Sequence, residues 1–114
     1  VVLTPCEQKW DYLYCDDAAE GLFSMAESER DGKIYCLGSG NATELREYVE
    51  IIAQKINSGA KVGIGECSYT ANQVMYLCAD ITELSKDTGF RPVYSFEQGI
   101  KETINWYKQF KYKE

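Results

Sequence analysis

Four aliphatic residues at helical spacing in the middle of the chain constrain the fold more than any other feature. Thr43 or Asn41 is suited to cap the first turn of this helix, and the run Asn-Ser-Gly at residues 57–59 predicts its end. Spaced i, i+4, i+7 and i+11, the four side chains line one side of an amphipathic helix and predict burial of that side. They are Leu45, Val49, Ile52 and Ile56.

A second helix is predicted after the paired acids Asp16 and Asp17, either of which is suited to cap it. Asp-Gly at residues 31–32 is a turn signal that ends this helix. The residues expected on its buried face are Ala18, Ala19, Leu22, Phe23 and Ala26.

Two more helices are predicted toward the C-terminus. Asp80 is suited to cap a short helix that ends at Thr88-Gly89, and Ser95 with Gln98 forms a capping box that opens the last one. The apolar positions of the two are Ile81 and Leu84, then Ile100, Ile104 and Tyr107.

Short apolar runs between these helices predict strands at residues 12–15, 33–37 and 61–64, whereas residues 65–73 are polar and predict a loop. A chain of 114 residues is the size of one domain. Strands of a few residues that alternate with about four helices predict an α/β fold, here a small lobe of α+β character.

Charge and cysteine content exclude several classes of function. The net charge is −6 and the pI about 4.7, which argues against a nucleic-acid binder. Five cysteines and no histidine suit neither a disulfide framework nor a metal site. Without a signal peptide or an apolar run of membrane-spanning length, the sequence predicts a cytoplasmic protein that binds no membrane.

Three motifs suggest catalysis but have simpler interpretations. Gly38-Ser39-Gly40 lacks the third glycine of a dinucleotide fingerprint, so we interpret it as a tight turn. Tyr107 and Lys111 have the spacing Y-x-x-x-K, which we interpret as a core tyrosine beside a solvent-facing lysine. Asp16 and Asp17 fit helix capping better than acid–base chemistry. We therefore assign no catalytic, cofactor-binding or metal-binding residue.

Four segments in order resemble the C-terminal part of the NAD-dependent epimerase/dehydratase family, the extended short-chain dehydrogenases. Residues 8–19 (QKWDYLYCDDAA) resemble a strand-to-helix segment of that family, and residues 34–45 resemble its Gly-Ser-Gly segment. Residues 79–92, with Ala-Asp-Ile-Thr-Glu-Leu and Gly-Phe-Arg-Pro, resemble the next conserved stretch, and residues 95–107 its closing helix. Together the four segments span most of the chain.

The resemblance implies that residues 1–114 are a substrate-binding lobe that closes over a nucleotide sugar. It places the catalytic Tyr and Lys and the NAD or NADP loop on a Rossmann part outside this chain, so the chain itself binds no cofactor and is not catalytic. The apolar start Val1-Val2-Leu3, without methionine, favours a piece of a longer protein. The parent would be an epimerase, a dehydratase or a reductase.

Two arginines of this lobe commonly hold the substrate diphosphate in the family, and both positions differ here. The first is Trp10 and the second falls at about Thr70. Lys9 could supply a cation, Trp10 could stack on a base or sugar, and Asn72 or Gln73 could donate hydrogen bonds. Each of these residues could equally be structural.

The alternative is a stand-alone ligand-binding or protein-interaction module that uses the same fold without catalysis. If the chain is a severed lobe, it should expose an apolar patch where its partner packs. Such a patch predicts partial self-association of the isolated chain.

Overall fold

The computed structural model describes residues 1–57 and 59–110 and contains helices and short strands. The helices are α1 (Cys15–Glu27), α2 (Leu45–Ile56), α3 (Thr82–Thr88) and α4 (Phe96–Phe110). The strands are β1 (Val2–Leu3), β2 (Lys9–Asp11), β3 (Ala42–Glu44), β4 (Gly63–Ile64) and β5 (Tyr76–Leu77). Small mixed sheets with four helices confirm the predicted fold class.

Strand β2 is the centre of the larger sheet, which has the order β3-β2-β5. It pairs antiparallel with β3, Trp10 opposite Thr43, and parallel with β5, Trp10 opposite Leu77. The other sheet is the parallel pair β1–β4. Strands β1, β3 and β5 were not predicted, since two or three residues carry too little pattern to be recognised.

The predicted amphipathic helix is confirmed as α2 and ends where predicted, but its predicted N-terminal caps are wrong and its stripe is only partly buried, since Ile56 is 61% exposed. No side chain caps α2; instead its first amides, on Leu45 and Arg46, donate to the carbonyl oxygens of Gln8 (2.8 Å) and Cys6 (2.9 Å). These donors are satisfied by backbone just before β2, so Thr43 and Asn41 have no capping role.

The two C-terminal helices are confirmed, with one correction: the N-cap of α3 is Ile81 rather than the predicted Asp80. The Asp80 carboxylate accepts a hydrogen bond from the Thr82 amide (3.0 Å), and α3 ends at Gly89 in the left-handed conformation. At α4 the Gln98 amide donates to the Ser95 hydroxyl (3.2 Å), and the Ser95 amide donates to the Gln98 side chain (2.8 Å). This reciprocal pair is the predicted capping box.

Helix α1 exists, but the predicted strand at residues 12–15 and the predicted buried face are both wrong. The helix already begins at Cys15, and its buried positions are Asp17 and Gly21. Leu22 and Phe23, expected in the core, are 60% and 57% exposed. The apolar stripe of α1 therefore points out of the chain.

Residues 33–37 form no strand, so the second of the three strand predictions is wrong. Lys33 and Tyr35 turn toward Asp87 on α3, and Ile34 between them is 92% exposed. Strand propensity depends on a neighbouring strand, and the polar pairs with Asp87 hold this segment elsewhere.

The packing forms a flat slab rather than a sphere. Tyr48 of α2 packs against Phe96 of α4 (ring centroids 4.2 Å apart) and against Tyr12 (5.0 Å), while Leu84 and Phe90 are buried near α3. The chain measures 48 × 40 × 20 Å with a radius of gyration of 16.8 Å. A compact chain of this length has a radius of gyration of about 13 Å, so much apolar surface stays uncovered.

Candidate functional site

Two of the predicted site residues, Lys9 and Trp10, lie on β2. The Trp10 indole N–H donates to the carbonyl oxygen of Val74 (2.9 Å), and the Trp10 carbonyl accepts from the Tyr48 hydroxyl (3.0 Å). The Lys9 side chain is exposed, whereas its backbone amide donates to Met75 (2.8 Å). Trp10 therefore has no indole N–H left for a ligand, although its half-buried ring can still stack.

The other predicted residues, Thr70, Asn72 and Gln73, lie on a turn of the loop before β5. The Gln73 amide donates to the Thr70 carbonyl (3.1 Å) and closes that turn. Before the turn, the Tyr69 hydroxyl accepts from the Glu7 amide (2.9 Å). The Trp10 and Tyr69 bonds thus bring the turn next to β2, without a hydrogen bond between the predicted site side chains of the described residues.

The region around Lys9 carries little positive charge. Lys9 lies opposite Glu44 of β3 in the sheet register and opposite Tyr76 of β5. Arg46, on the following helix, donates through Nη2 to the carbonyl oxygen of Pro5 (3.1 Å). Lys9 is left as the exposed cation of the predicted set, next to a carboxylate. The ligand roles of all five residues stay predictions.

The Asp11 carboxylate, which sequence reasoning missed, joins three segments at the end of β2. It accepts hydrogen bonds from the amides of Ser39 (2.9 Å), Gly40 (3.0 Å) and Ala79 (3.2 Å). A Cβ at Gly38 would lie 2.6 Å from this carboxylate and 2.5 Å from the Ala79 Cβ, so only glycine fits there. The sequence signal was the Gly-Ser-Gly turn, whose amides need an acceptor.

The same contacts test whether this chain suits a dinucleotide. A pyrophosphate binds to free amides of a glycine-rich turn and of the following helix start. Here the amides of Ser39 and Gly40 bind Asp11, and those of Leu45 and Arg46 bind backbone carbonyls. The Gly-Ser-Gly turn does not fit a pyrophosphate, in agreement with its interpretation as a turn.

Asp17, one of the paired acids, is buried and holds a distant loop rather than capping α1. Its carboxylate accepts from the amides of Val93 (3.0 Å) and Tyr94 (2.9 Å), and its residue is 3% exposed. The N-cap of α1 is Tyr14, without a side-chain bond. The capping prediction is therefore wrong for Asp17.

A third carboxylate, Asp87 of α3, is enclosed by donors from the segment after α1. Lys33 pairs with it, the Tyr35 hydroxyl donates to it (2.8 Å) and Arg30 lies 3.7 Å away. The hydrogen bonds from Lys33 and Tyr35 hold the pKa of Asp87 below its ordinary value, and the same pair raises the pKa of Lys33. This cluster attaches α3 to the segment that follows α1.

An apolar cleft of about 370 Å³ lies between the first half of α4 and the link from β2 to α1. Tyr12, Tyr14, Tyr94 and Phe96 line it, with Gly99 at its base, where a Cβ would come within 2.9–3.1 Å of Tyr14. Loss of hydration raises the pKa of Tyr12 and of Tyr14. The aromatic run at residues 12–14, predicted as a strand, forms this wall instead.

The Y-x-x-x-K pair cannot be placed as a whole. Tyr107 lies on α4 and is 42% exposed, which corrects its prediction as a core residue; Lys111 lies outside the described residues. Among those residues there is no group of three or more His, Cys, Asp or Glu side chains positioned to hold a metal. None of the helices they form is long and apolar enough to cross a membrane.

Comparison with known proteins finds similarity to nucleotide-sugar enzymes. No family model matches the chain, but it is 29% identical over 104 residues to dTDP-4-dehydro-6-deoxyglucose reductase of Escherichia coli. That match covers 90% of this chain and 32% of the reductase. The chain resembles the C-terminal third of nucleotide-sugar enzymes of the NAD-dependent epimerase/dehydratase type, as its sequence motifs predicted.

Solved structures share the fold of this epimerase/dehydratase relative. UDP-glucose 4-epimerase of Thermotoga maritima, solved with UDP-glucose, matches with a TM-score of 0.83 at 19% identity over 95% of this chain and 35% of the epimerase. dTDP-glucose 4,6-dehydratase of Bacillus anthracis, solved with NAD, gives 0.81 at 23% identity over 96% and 34%. The chain spans about a third of the length of the relatives that it matches.

Proposed function

We propose that this chain is the substrate-binding, C-terminal lobe of an NAD(P)-dependent nucleotide-sugar epimerase or dehydratase and is not catalytic by itself. The observation that carries the proposal is similarity along 90% of this chain to a third of a longer nucleotide-sugar enzyme. The flat shape supports it, because a slab 20 Å thick leaves apolar surface that another part of a protein can cover.

The lobe contributes position and enclosure rather than redox chemistry. When NAD or NADP is bound, its nicotinamide supplies hydride transfer. The Gly-Ser-Gly turn does not fit the pyrophosphate, so we assign the cofactor to another part of the protein. The part of this chain is to hold the sugar nucleotide and to exclude water from it.

Lys9 and Trp10 of β2, together with the turn before β5, form the proposed substrate-facing surface. Lys9 supplies the positive charge there, the Trp10 ring supplies a planar face, and Thr70, Asn72 and Gln73 supply polar groups on an exposed turn. With one cation beside Glu44, this surface is poorer in positive charge than a two-arginine diphosphate clamp. We propose that substrate phosphates receive part of their neutralisation from outside this lobe.

The outer face of α1 is the proposed contact with the cofactor-binding part. Leu22 and Phe23 lie side by side on that face and are more than half exposed. Uncovered, this patch should drive self-association of the isolated chain. Sedimentation should show concentration-dependent oligomers that the double variant Leu22→Glu, Phe23→Glu abolishes. The matched control Val93→Glu, at another exposed apolar position, should leave the oligomers unchanged.

Titration with NAD and NADP tests the function. The natural protein should bind one of them in the micromolar range, as ordinary enzymes bind their ligands, and the isolated 114-residue chain should bind neither. Failure of the natural protein to bind either cofactor would overturn the enzyme proposal and leave only the fold. Tight binding by the isolated chain would overturn the assignment of the cofactor to another part.

The alternative, a stand-alone ligand-binding or interaction module, gains no support from the reported matches, whose named members are nucleotide-sugar enzymes. Such a module binds neither NAD nor NADP even as the natural protein, so the cofactor titration separates the two proposals. The proposed location is the cytoplasm, where five cysteines without a disulfide are stable as thiols.

A further inference from the structure

Two side-chain hydrogen bonds attach the segment between β4 and β5, one to Trp10 of β2 and one to Glu7, which precedes that strand. Ahead of the turn at residues 70–73, the Tyr69 hydroxyl accepts the Glu7 amide at 2.9 Å. Behind it, the Trp10 indole N–H donates to the Val74 carbonyl at 2.9 Å. We call residues 69–74 the strap.

Between these two points the strap has few other attachments. Within residues 1–57 and 59–110, no side chain of residues 70–72 forms a hydrogen bond or ion pair. The turn is closed by its own backbone bond from Gln73 to Thr70, and its residues are exposed or half-exposed. The position of the turn therefore depends on the two side-chain bonds and on the backbone pairing that begins at Met75.

We infer that Trp10 and Tyr69 are positioning residues that fix the 70–73 turn against β2, so that its polar groups stand ready for a ligand. A turn that is already ordered loses less conformational freedom on binding than a free loop. Trp10 thus acts through the strap and not through a hydrogen bond to the ligand, because its N–H is already taken. The consequence for a ligand rests on the proposed function; the attachment itself does not.

Peptide-resolved hydrogen exchange of the natural protein tests the attachment. Tyr69→Phe removes one hydroxyl, and Trp10→Phe removes the indole N–H but keeps an aromatic ring beside Tyr12. Loss of one net hydrogen bond should speed exchange of residues 69–74 roughly fivefold in each variant. Exchange in α2 should not change. The matched control is Tyr76→Phe, on β5 next to the strap.

Exchange in the strap that equals the Tyr76→Phe control in both variants would overturn the inference. If Trp10→Phe fails to fold, Tyr69→Phe decides it alone. The affinity for UDP-glucose, or for dTDP-glucose if only that binds, is the second readout: Tyr69→Phe, at a position outside the proposed substrate-facing residues, should weaken it several-fold, and the Tyr76→Phe control should not. Because the exchange measurement needs no ligand, its failure is separate from a failure of the NAD(P) titration.

Discussion

Replacing Asp17 by asparagine tests whether buried acids in this chain hold distant loops. The carboxylate binds two amides, those of Val93 and Tyr94, at 3.0 and 2.9 Å. In Asp17→Asn the side-chain oxygen still accepts one of these hydrogen bonds, now without charge. The NH₂ group is a donor, so the second backbone amide loses its acceptor. Hydrogen bonds to a charged group contribute about 1.5–3 kcal/mol, and an unpaired buried donor costs about 1–3 kcal/mol. Because one bond survives, we expect a loss of about 2–3 kcal/mol.

Asp16 is the matched control, since it lies in the same helical turn but is exposed. Asp16→Asn weakens an interaction with the helix dipole, worth about 0.3–1 kcal/mol, and an exposed contact with the Cys15 thiol. In urea unfolding at pH 7 the Asp17→Asn midpoint should fall by about 1–2 M, with a much smaller shift for Asp16→Asn. Equal shifts for both variants would refute the loop-holding role and restore the dipole explanation.

Three further predictions concern other sites. Asp87→Asn should make the free energy of unfolding fall less steeply at acid pH. Because the hydrogen bond from Lys33 lowers the pKa of Asp87 in the folded state, the Asp87 carboxylate stabilises the fold fully at neutral pH and loses this effect as the pH falls through that pKa. An unchanged acid limb in unfolding curves from pH 6 to 2 would contradict this. Gly38→Ala should lower the free energy of unfolding by about 1–3 kcal/mol because the added methyl group overpacks the site. Gly59→Ala, where a Cβ meets nothing closer than 3.5 Å, should lower it less, and thermal unfolding measures both. Ser95→Ala should cost about 1 kcal/mol through the capping box, also by thermal unfolding.

The sequence was sufficient for helices whose signals are local. The α2 stripe and the Ser95–Gln98 box involve residues within a few turns of one another, so periodicity and spacing identify them. The strand predictions at residues 12–15 and 33–37 failed because those residues are held by partners far along the chain. Tyr12 packs on Tyr48 and Phe96, and neither contact leaves a trace in local pattern.

The candidate site shows the same division. Lys9, Trp10 and the residues of the 70–73 turn were named as site candidates through the resemblance, and the structure places the turn next to Trp10 through the bond to Val74. The role of Asp11 was missed and that of Asp17 was misassigned, because these carboxylates bind amides that are 28 to 77 residues away in the sequence. A single sequence does not pair a carboxylate with amides that distant, so the roles of Asp11 and Asp17 required the fold.

The error on α1 differs in kind, and it supports the proposed function. The sequence does carry an apolar stripe there, and helices with such a stripe bury it against something. In this chain the stripe residues Leu22 and Phe23 face outward, while the side that packs inside carries Asp17 and Gly21. An apolar helix face that stays exposed in a slab 20 Å thick is expected of a lobe whose partner surface lies in another part of the protein. The periodicity thus predicts a face that is buried in the proposed longer protein, and Leu22→Glu with Phe23→Glu, which places two negative charges on that face, should separate the lobe from its partner surface.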